Sequence, residues 1–342
     1  MAGIEERYED QGGMLSGNDV RTGFISGVSF KNKPVQYAVV DGLAVFEGCI
    51  VLGTAEEMEA RTKAILSGAE GAPEGVAHGI GIPGQQYRWP GGLMPYEIDP
   101  ALPNQQRITD AVNHWTQNTS MRFVQRTAAN ASQYPDYVRF RPASGCWSQV
   151  GMRGNKQEIG LAAGCGTGSV IHEIGHAWGL WHEQSRSDRD SHVTINWQNI
   201  EAGKEHNFNQ HITDGDDYGA YDYDSIMHYP TWAFSKNGNP TIETIPPGIP
   251  IGQRSSLSAG DIATIHAMYR VWHYNLSVTL AYATHHSRNA WAYLAGIGWR
   301  KIKADKNDGV TNTFLVCCEA RANNRKVHAL IDGTNLYRIQ LL

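Results

Sequence analysis

The feature that most constrains this chain is a set of three histidines spaced for one metal ion. His172 and His176 are four residues apart, so on a helix both imidazoles leave the same face and can share a tetrahedral Zn²⁺. Gly179 can take the left-handed turn that ends such a helix and brings His182 back as a third ligand. Three protein ligands leave one coordination position open, which is typical of a catalytic zinc. Glu173, beside the first ligand, is then the candidate general base for a water at the metal.

A His-Glu-x-x-His pattern alone also occurs by chance in buried amphipathic helices that bind no metal. Here the pattern extends over eleven residues to a glycine and a third histidine, which is typical of metzincin proteases when a methionine turn follows. The chain has such a turn, with Met227 two residues before Tyr229. Together with this turn, the string HEQSR from His182 to Arg186 resembles the astacin family of zinc endopeptidases.

The resemblance implies an α+β fold, a two-lobed metzincin-type protease domain with a twisted sheet and a zinc helix. We expect this catalytic domain over residues 81–270, after a pro-segment over residues 1–80 and before a small basic β module over residues 271–342. Residues 68–86 are rich in Gly, Ala and Pro and predict a linker, and we place activation cleavage near residues 77–82. The implied protein is a zinc-dependent endopeptidase that cleaves other proteins and is made as a bacterial-type zymogen.

The resemblance also implies roles for three residues near the metal. The Tyr229 phenol is expected to lie near the zinc and to swing so that it donates a hydrogen bond to the oxyanion, worth about 3 kcal/mol of barrier. Met227 is expected to form an apolar floor under the metal. Glu183, which follows the third histidine, is expected to receive the N-terminus that activation cleavage frees.

Two further features follow from the same resemblance. Arg254 matches a position where acid-preferring astacins place an arginine in the S1′ pocket, so we expect a preference for Asp or Glu at P1′. Cys146 and Cys165 are expected to form a disulfide at the edge of the active site, worth about 3 kcal/mol. Ser120 stands where a second disulfide partner is usual, so one bridge of the family is missing.

Residues Phe46 to Cys49 have the sequence Phe-Glu-Gly-Cys, an apolar anchor, a flexible glycine and a soft metal ligand. Astacin-like pro-segments carry a Phe-x-Gly-Asp motif whose aspartate occupies the open zinc position, and this stretch resembles that motif with cysteine instead of aspartate. Because a thiolate is a strong zinc ligand, we predict that Cys49 is a fourth ligand that keeps the chain latent, a cysteine switch. The alternative is a small buried cysteine in a β-hairpin.

Local patterns predict several elements. We expect strands between Val35 and Val51 on either side of an Asp41-Gly42 turn, followed by a helix over Glu56 to Leu66. Residues 1–30 show no sustained period and predict a loose lead-in. Apolar spacing further predicts a helix around Ile108–Trp115 and strands at Met121–Gln125 and Tyr137–Arg141.

The last 72 residues differ in charge from the rest of the chain. Residues 271–342 carry nine Lys/Arg against four Asp/Glu, or +5, which leaves −10 for residues 1–270. Alternating runs at Ser277–Ala283, Thr313–Cys317 and Val327–Ile331 predict a small β module. Its charge indicates either an anionic partner or a solvated basic surface, and glycan, protein, membrane headgroups or the protease itself remain alternative partners. Cys317 and Cys318 are either buried, paired with another chain or bound to metal.

Composition and compartment complete the expectations. No run of about 18 apolar residues exists, and Met1 to Asp10 is polar, so neither a membrane span nor a Sec-type signal is visible. The predicted disulfide indicates an oxidising compartment, and we expect a secreted or extracytoplasmic protein, with leaderless export as one route. The expected partners are protein or peptide substrates and an activating protease, and no nucleic acid is expected.

Two other functions are alternatives to this one. An inactive zinc-fold protein that binds through its C-terminal module is the main alternative, but the presence of both Glu173 and Tyr229 argues against it. A non-proteolytic zinc hydrolase is disfavoured by the full metzincin pattern.

Overall fold

The computed structural model describes residues 13–25, 32–67, 85–210, 216–285, 289–303, 307–332 and 335–342. The proposed cleavage region near residues 77–82 lies outside these described residues. The chain divides into two compact units, Met1–Ile265 and His266–Leu342. Among the described residues, no helix combines the length and the apolar character needed to cross a membrane.

Five α-helices lie within the described residues: α1 (Ala55–Leu66), α2 (Gln106–Asn118), α3 (Thr167–Trp178), α4 (Ala259–Met268) and α5 (Asn307–Ala322). The sequence starts α1 with a capping box, because Glu57 N donates to Thr54 Oγ1 over 3.1 Å and Thr54 N donates to Glu57 Oε2 over 2.8 Å. The predicted helix at Ile108–Trp115 is α2, which buries the predicted apolar face. Trp115 Nε1 donates to Ile171 O over 3.1 Å, so α2 is fixed against α3.

Sixteen strands lie within the described residues. Those of the first unit are β1 (Val20–Ile25), β2 (Lys33–Val40), β3 (Leu43–Phe46), β4 (Ile50–Thr54), β5 (Leu93–Ile98), β6 (Arg122–Gln125), β7 (Tyr137–Pro142), β8 (Trp147–Ser148), β9 (Lys156–Leu161), β10 (Val193–Ile195) and β11 (Ile242–Thr244). Those of the second unit are β12 (Val271–Ala283), β13 (Ala290–Leu294), β14 (Gly298–Ile302), β15 (Lys326–Ile331) and β16 (Asn335–Leu341).

Within the described residues, nine strands of the first unit form one sheet in the order β1-β2-β3-β4-β8-β9-β7-β5-β6. The N-terminal strands β1–β4 join the rest through a parallel pairing of Ile50 in β4 with Ser148 in β8. The expectation of a loose lead-in over residues 1–30 is therefore wrong for Val20–Ile25, which pairs antiparallel with β2. This pairing places Ile25 and Tyr37 in a buried cluster with Phe46 and Trp181.

The second unit contains a closed sheet in the order β12-β13-β14-β16-β15, with β15 pairing back to β12. The expectation of a strand at Thr313–Cys317 is wrong, because these residues lie inside α5. The buried residues of α5 include Val310, Cys317 and Ala320, which follow helical spacing, whereas Leu315 is exposed. Cys317 belongs to the core of this unit, and burial raises the pKa of its thiol to about 12.

Candidate zinc active site

The end of α3 explains how three distant histidines meet. Gly179 adopts the left-handed conformation, with φ of 103°, that its sequence position predicts. Its N–H donates to His176 O over 2.7 Å, and Leu180 N donates to Gly175 O over 2.9 Å, so the last turn of the helix is closed. The chain then reverses and brings His182 to the two histidines on α3.

Each of the three imidazoles is oriented by a hydrogen bond from its Nδ1–H. His172 donates to Ile226 O over 2.8 Å, His176 to Leu180 O over 2.7 Å, and His182 to Glu47 Oε2 over 2.8 Å. With Nδ1 protonated, each Nε2 keeps a lone pair that can bind a metal. Burial, above all, holds the pKa values of His172 and His176 well below the usual range, so these rings are neutral, as metal ligands must be.

Cys49 lies between β3 and β4 and completes the set. Its Sγ is 3.5, 3.3 and 3.2 Å from the Nε2 atoms of His172, His176 and His182. Tetrahedral zinc, with Zn–S near 2.3 Å and Zn–N near 2.1 Å, places a sulfur and a nitrogen ligand about 3.6 Å apart. The four buried ligand atoms lie within 4.8 Å of one another, so their chemistry and spacing fit one zinc ion.

Glu173 is buried beside these ligands. Burial holds the pKa of its carboxyl well above the usual range, and the nearby Arg254 guanidinium opposes this shift. Within the described residues its Oε2 atom has no hydrogen-bond partner. The side chain lines a small cavity with Cys49, His172, His182 and Arg254.

Tyr229 and Met227 contact different parts of the site. The Tyr229 ring packs 4.7 Å from the His182 ring between centroids, and its hydroxyl donates to Glu47 O over 2.7 Å. Met227 packs against α3, since a Cβ built on Gly175 would lie 2.8 Å from Met227 Sδ. The methionine turn therefore contacts the zinc helix at Gly175, whose lack of a side chain leaves space for the Met227 sulfur.

Glu47 has a role at the site that its sequence motif, Phe46 to Cys49, does not predict. Glu47 is fully buried, and its Oε1 accepts a hydrogen bond from Ser185 Oγ over 2.8 Å while Oε2 accepts from His182. Its backbone carbonyl accepts from Tyr229 and from Cys49 N. The sequence feature that could have identified Glu47 is a carboxylate two residues before a candidate metal ligand, in a segment that is otherwise apolar.

Arg254 is brought to the site as well. Its Nη1 donates to Ile226 O over 2.9 Å and to His228 O over 3.0 Å. Ile226 O is also the acceptor for His172, so the arginine supports the backbone that orients the first histidine. A Cβ on Gly168 would overlap Arg254 O, which shows how closely the start of α3 approaches this backbone.

Glu183 borders a separate pocket that His182 also lines. Its Oε1 accepts from Asp222 N over 2.8 Å, and Arg186 Nε is 3.6 Å away. Burial raises the pKa of Glu183 to about 8. Other carboxylates that line the pocket are those of Asp216, Asp217, Asp222 and Asp261.

The edge of the active site carries the predicted disulfide between Cys146 and Cys165. Next to it, the backbone of residues 13–25 and 32–67, which we call the N-terminal segment, is hydrogen-bonded to β8 and to the residue before it. Cys146 N donates to Gly13 O and Ser148 N donates to Cys49 O, both over 2.9 Å. The segment therefore runs along the same strand edge that borders the zinc ligands.

Part of the chain is similar to known proteins. Residues 82–270 match the model of the astacin peptidase family. Protein SpAN of Strongylocentrotus purpuratus is 40% identical over 194 residues, which cover 54% of this chain and 32% of SpAN. Zinc metalloproteinase nas-13 of Caenorhabditis elegans is 41% identical over 187 residues, which cover 53% of this chain and 41% of that protein.

Among solved structures, high choriolytic enzyme 1, a hatching enzyme zinc-protease of Oryzias latipes, is 38% identical with a TM-score of 0.49. The alignment covers 53% of this chain and 92% of that one. The matches to SpAN and nas-13 span 32% and 41% of those relatives, so large parts of both have no counterpart in the alignment. The family model spans more than half of the chain and confirms the predicted α+β metzincin fold. The chain therefore belongs to the astacin family of peptidases, and its cofactor is zinc.

Proposed function

We propose that the protein is a zinc endopeptidase held latent by its own N-terminal segment. The observation that carries this proposal is the meeting of Cys49 Sγ with the Nε2 atoms of His172, His176 and His182. The histidines are the three permanent zinc ligands, and Cys49 is the fourth ligand of the latent form. Because all four positions are then filled, a peptide carbonyl and a water have no place at the metal.

Hydrolysis requires that Cys49 leave. Bound zinc supplies Lewis-acid activation of the scissile carbonyl and of the attacking water. Glu173 takes a proton from that water and passes it to the leaving amine, so it acts first as a general base and then as a general acid. The Tyr229 hydroxyl, once free of Glu47 O, donates to the developing oxyanion.

Latency in this proposal has a second component at the substrate cleft. The backbone of the N-terminal segment pairs with Cys146 and Ser148, and an extended peptide substrate would use the same strand edge. Glu47 O also holds the Tyr229 hydroxyl that the reaction needs. Removal of the segment therefore frees the metal, the strand edge and the oxyanion donor together.

We place activation at a cut near residues 77–82 by another protease, after which the new N-terminus moves toward Glu183. Arg88, at the start of the following described segment, is hydrogen-bonded to Tyr218, which lines the acidic pocket. Six residues of extended chain reach about 20 Å. An α-ammonium group would find several carboxylates in that pocket, Glu183 among them.

Arg254 is proposed to select acidic side chains at P1′. It lines the cavity that also holds Cys49 and Glu173, and a guanidinium binds carboxylates well. In processed enzyme, Arg254→Ala should lower the ratio of Asp-P1′ to Ala-P1′ cleavage about tenfold, or ~1.4 kcal/mol. Arg122→Ala, an exposed arginine bound to Gly91 O, is the control. An unchanged ratio in Arg254→Ala would remove this assignment.

The main experiment compares the intact chain, the proteolytically processed chain and Cys49→Ala on a peptide library, each with and without a chelator. We expect full cleavage after processing and weak cleavage at most in Cys49→Ala, because the segment still occupies the strand edge and holds the Tyr229 hydroxyl in that variant; the chelator should abolish both. Cys318→Ala, a partly exposed free cysteine of the second unit, should stay latent. Absence of chelator-sensitive cleavage after processing would refute the protease, and equal reactivity of Cys49 toward a thiol reagent in the intact chain with and without zinc would refute the cysteine switch alone.

The disulfide supports a secreted or extracytoplasmic location, because such bonds persist in oxidising compartments. The partners in this proposal are protein substrates and the activating protease.

A further inference from the structure

The second unit has a recognisable topology. Its strands follow the order β12-β13-β14-β16-β15 and close through β12, and α5 lies between β14 and β15. β14 and β16 are parallel, whereas the other pairs are antiparallel. This order and helix position are those of the oligonucleotide/oligosaccharide-binding (OB) fold, which binds ligands on the face of its second and third strands.

The outward side chains of the first three strands form two rows. Tyr282 pairs with Trp291, and Trp291 with Lys301. In the next row, Leu280 pairs with Tyr293, and Tyr293 with Trp299. We call this set the aromatic face: Leu280, Tyr282, Trp291, Tyr293, Trp299 and Lys301.

The aromatic face is open rather than part of the core. Ala290, Ala292 and Leu294 alternate with Trp291 and Tyr293 and are the buried side chains of β13. Tyr282 is 53% exposed and Trp299 is 43% exposed. Exposed large aromatic side chains at this density mark binding sites, because a solvated strand surface ordinarily carries polar residues.

The strand β16 of the same unit shows that ordinary pattern. On β16, Arg338 and Gln340 are exposed and alternate with apolar side chains that pack against the core. On β15, His328 pairs with Gln340. Exposed aromatic side chains are therefore absent from the described residues of β16, whereas Trp272 and Tyr274 on β12 are exposed outside the aromatic face.

The rings of the aromatic face are already arranged. Tyr293 and Trp299 meet edge to face, with centroids 5.5 Å apart. Lys301 Nζ lies 5.6 Å from the Trp291 ring centroid, and Trp291 Nε1 donates to Asn289 Oδ1 over 3.0 Å. These contacts fix the ring orientations, so a flat ligand meets a preorganised surface.

We propose that the aromatic face binds an oligosaccharide that carries carboxylate groups. The C–H faces of pyranose rings stack on Trp and Tyr, whose flat apolar surfaces and polar tips suit amphipathic ligands. Lys301 supplies one cation for a carboxylate, and residues 271–342 carry a net charge of +5.

A single-stranded nucleic acid suits this face less well. Such ligands require a basic groove that follows the phosphates along with the stacking side chains. Within the two rows that define the aromatic face, Lys301 is the single cation. The disulfide of the first unit also indicates an oxidising compartment, where glycans are abundant.

The test measures retardation of the full chain in native gels that contain alginate, a polyuronate, with laminarin, a neutral glucan, in parallel gels. We expect alginate to retard the wild type, and Trp299→Ala or Trp291→Ala to weaken binding about tenfold. Trp272→Ala is the matched control, because Trp272 is similarly exposed, at 39%, but pairs with Leu330 outside the aromatic face. Circular dichroism melts check that each variant is folded, and cleavage of a short peptide after processing should not change.

Binding of an oligothymidylate of 20 nucleotides, measured by fluorescence anisotropy, is the competing arm. Tighter binding to oligothymidylate than to alginate, lost in Trp299→Ala, would assign the face to nucleic acid and overturn the proposal. Absence of retardation in alginate, or equal loss in Trp272→Ala, would overturn it as well. The readout needs no proteolysis, so it is independent of the proposed peptidase.

Discussion

The three histidines of the zinc site are held by two different parts of the chain. His172 and His176 donate to the backbone carbonyls of Ile226 and Leu180, which belong to the region that matches the family model. His182 instead donates to the carboxylate of Glu47, in the N-terminal segment. If the segment is removed on activation, two ligands keep their partners and one must find another.

This difference separates what the catalytic region holds by itself from what the N-terminal segment adds. The first part includes α3, the methionine turn and Glu173. The second includes Cys49, Glu47 and the hydrogen bond that retains Tyr229. A substitution in the first part should affect intact and processed protein alike, whereas one in the second should affect the intact chain only.

The largest effect is expected from Glu173→Gln, which tests the part present in both forms. The processed variant should lose about 10³-fold in kcat/KM, because the general base is gone. Zinc content, measured by atomic absorption, should stay near one per chain in both forms, since Glu173 is not a ligand. Glu205→Gln, at an exposed glutamate, is the control. Substantial residual hydrolysis in Glu173→Gln would show that another residue is the general base.

An intermediate effect is expected from Glu47→Ala, which tests the part that the segment adds. The change leaves the His182 Nδ1–H and the Ser185 hydroxyl without their buried acceptor, at a cost of about 2–4 kcal/mol in the free energy of unfolding of the intact chain. Glu47→Gln keeps one amide oxygen as an acceptor and should cost about 1 kcal/mol. Denaturant melts of intact and processed protein measure both.

The comparison fails if Glu47→Ala destabilises the processed protein as much as the intact chain. That outcome would mean that the segment stays bound after cleavage and remains part of the site.

The smallest effect is expected from Gly175→Ala, again in the part common to both forms. A Cβ here would meet Met227 Sδ at 2.8 Å, and such overpacking costs about 1–3 kcal/mol. Alanine gains about 0.5–1 kcal/mol over glycine within a helix, so the net loss should be about 1 kcal/mol. Gly164→Ala, where nothing lies within 4 Å of the added Cβ, controls for the composition change. Unequal losses in intact and processed protein would show that the segment also alters α3.

The features of the site that could be predicted are those that depend on short-range spacing in the sequence. The four-residue interval between His172 and His176 and the glycine at 179 determine which imidazoles share a helix face and where the helix ends. The role of Glu47 could not be predicted, because it depends on contacts with His182 and Ser185, more than 130 residues away in the chain. No periodic pattern marks a buried carboxylate whose partners come from another region.

The fold shows the same limit. The helix α1 was predictable from Thr54 and Glu57 at its start. Thr313–Cys317 was misassigned because a short run of β-branched and apolar residues fits a strand as well as a buried helix. The burial of Val310, Cys317 and Ala320 and the exposure of Leu315 distinguish the two. The order of β12–β16 rests on pairings between distant strands, which the sequence does not encode in any single window.

The joining of β4 to β8 has a kinetic consequence for activation. While the chain is intact, the segment that carries Cys49 is tethered to the cleft, and its effective concentration there is of the order of millimolar. In the proposed zymogen, a cut in the linker would leave the contacts of the segment in place but make the segment a separate ligand, so the inhibition would depend on dilution. Under that proposal, concentrated enzyme would become active slowly and dilute enzyme quickly, even when both are cleaved at the same rate.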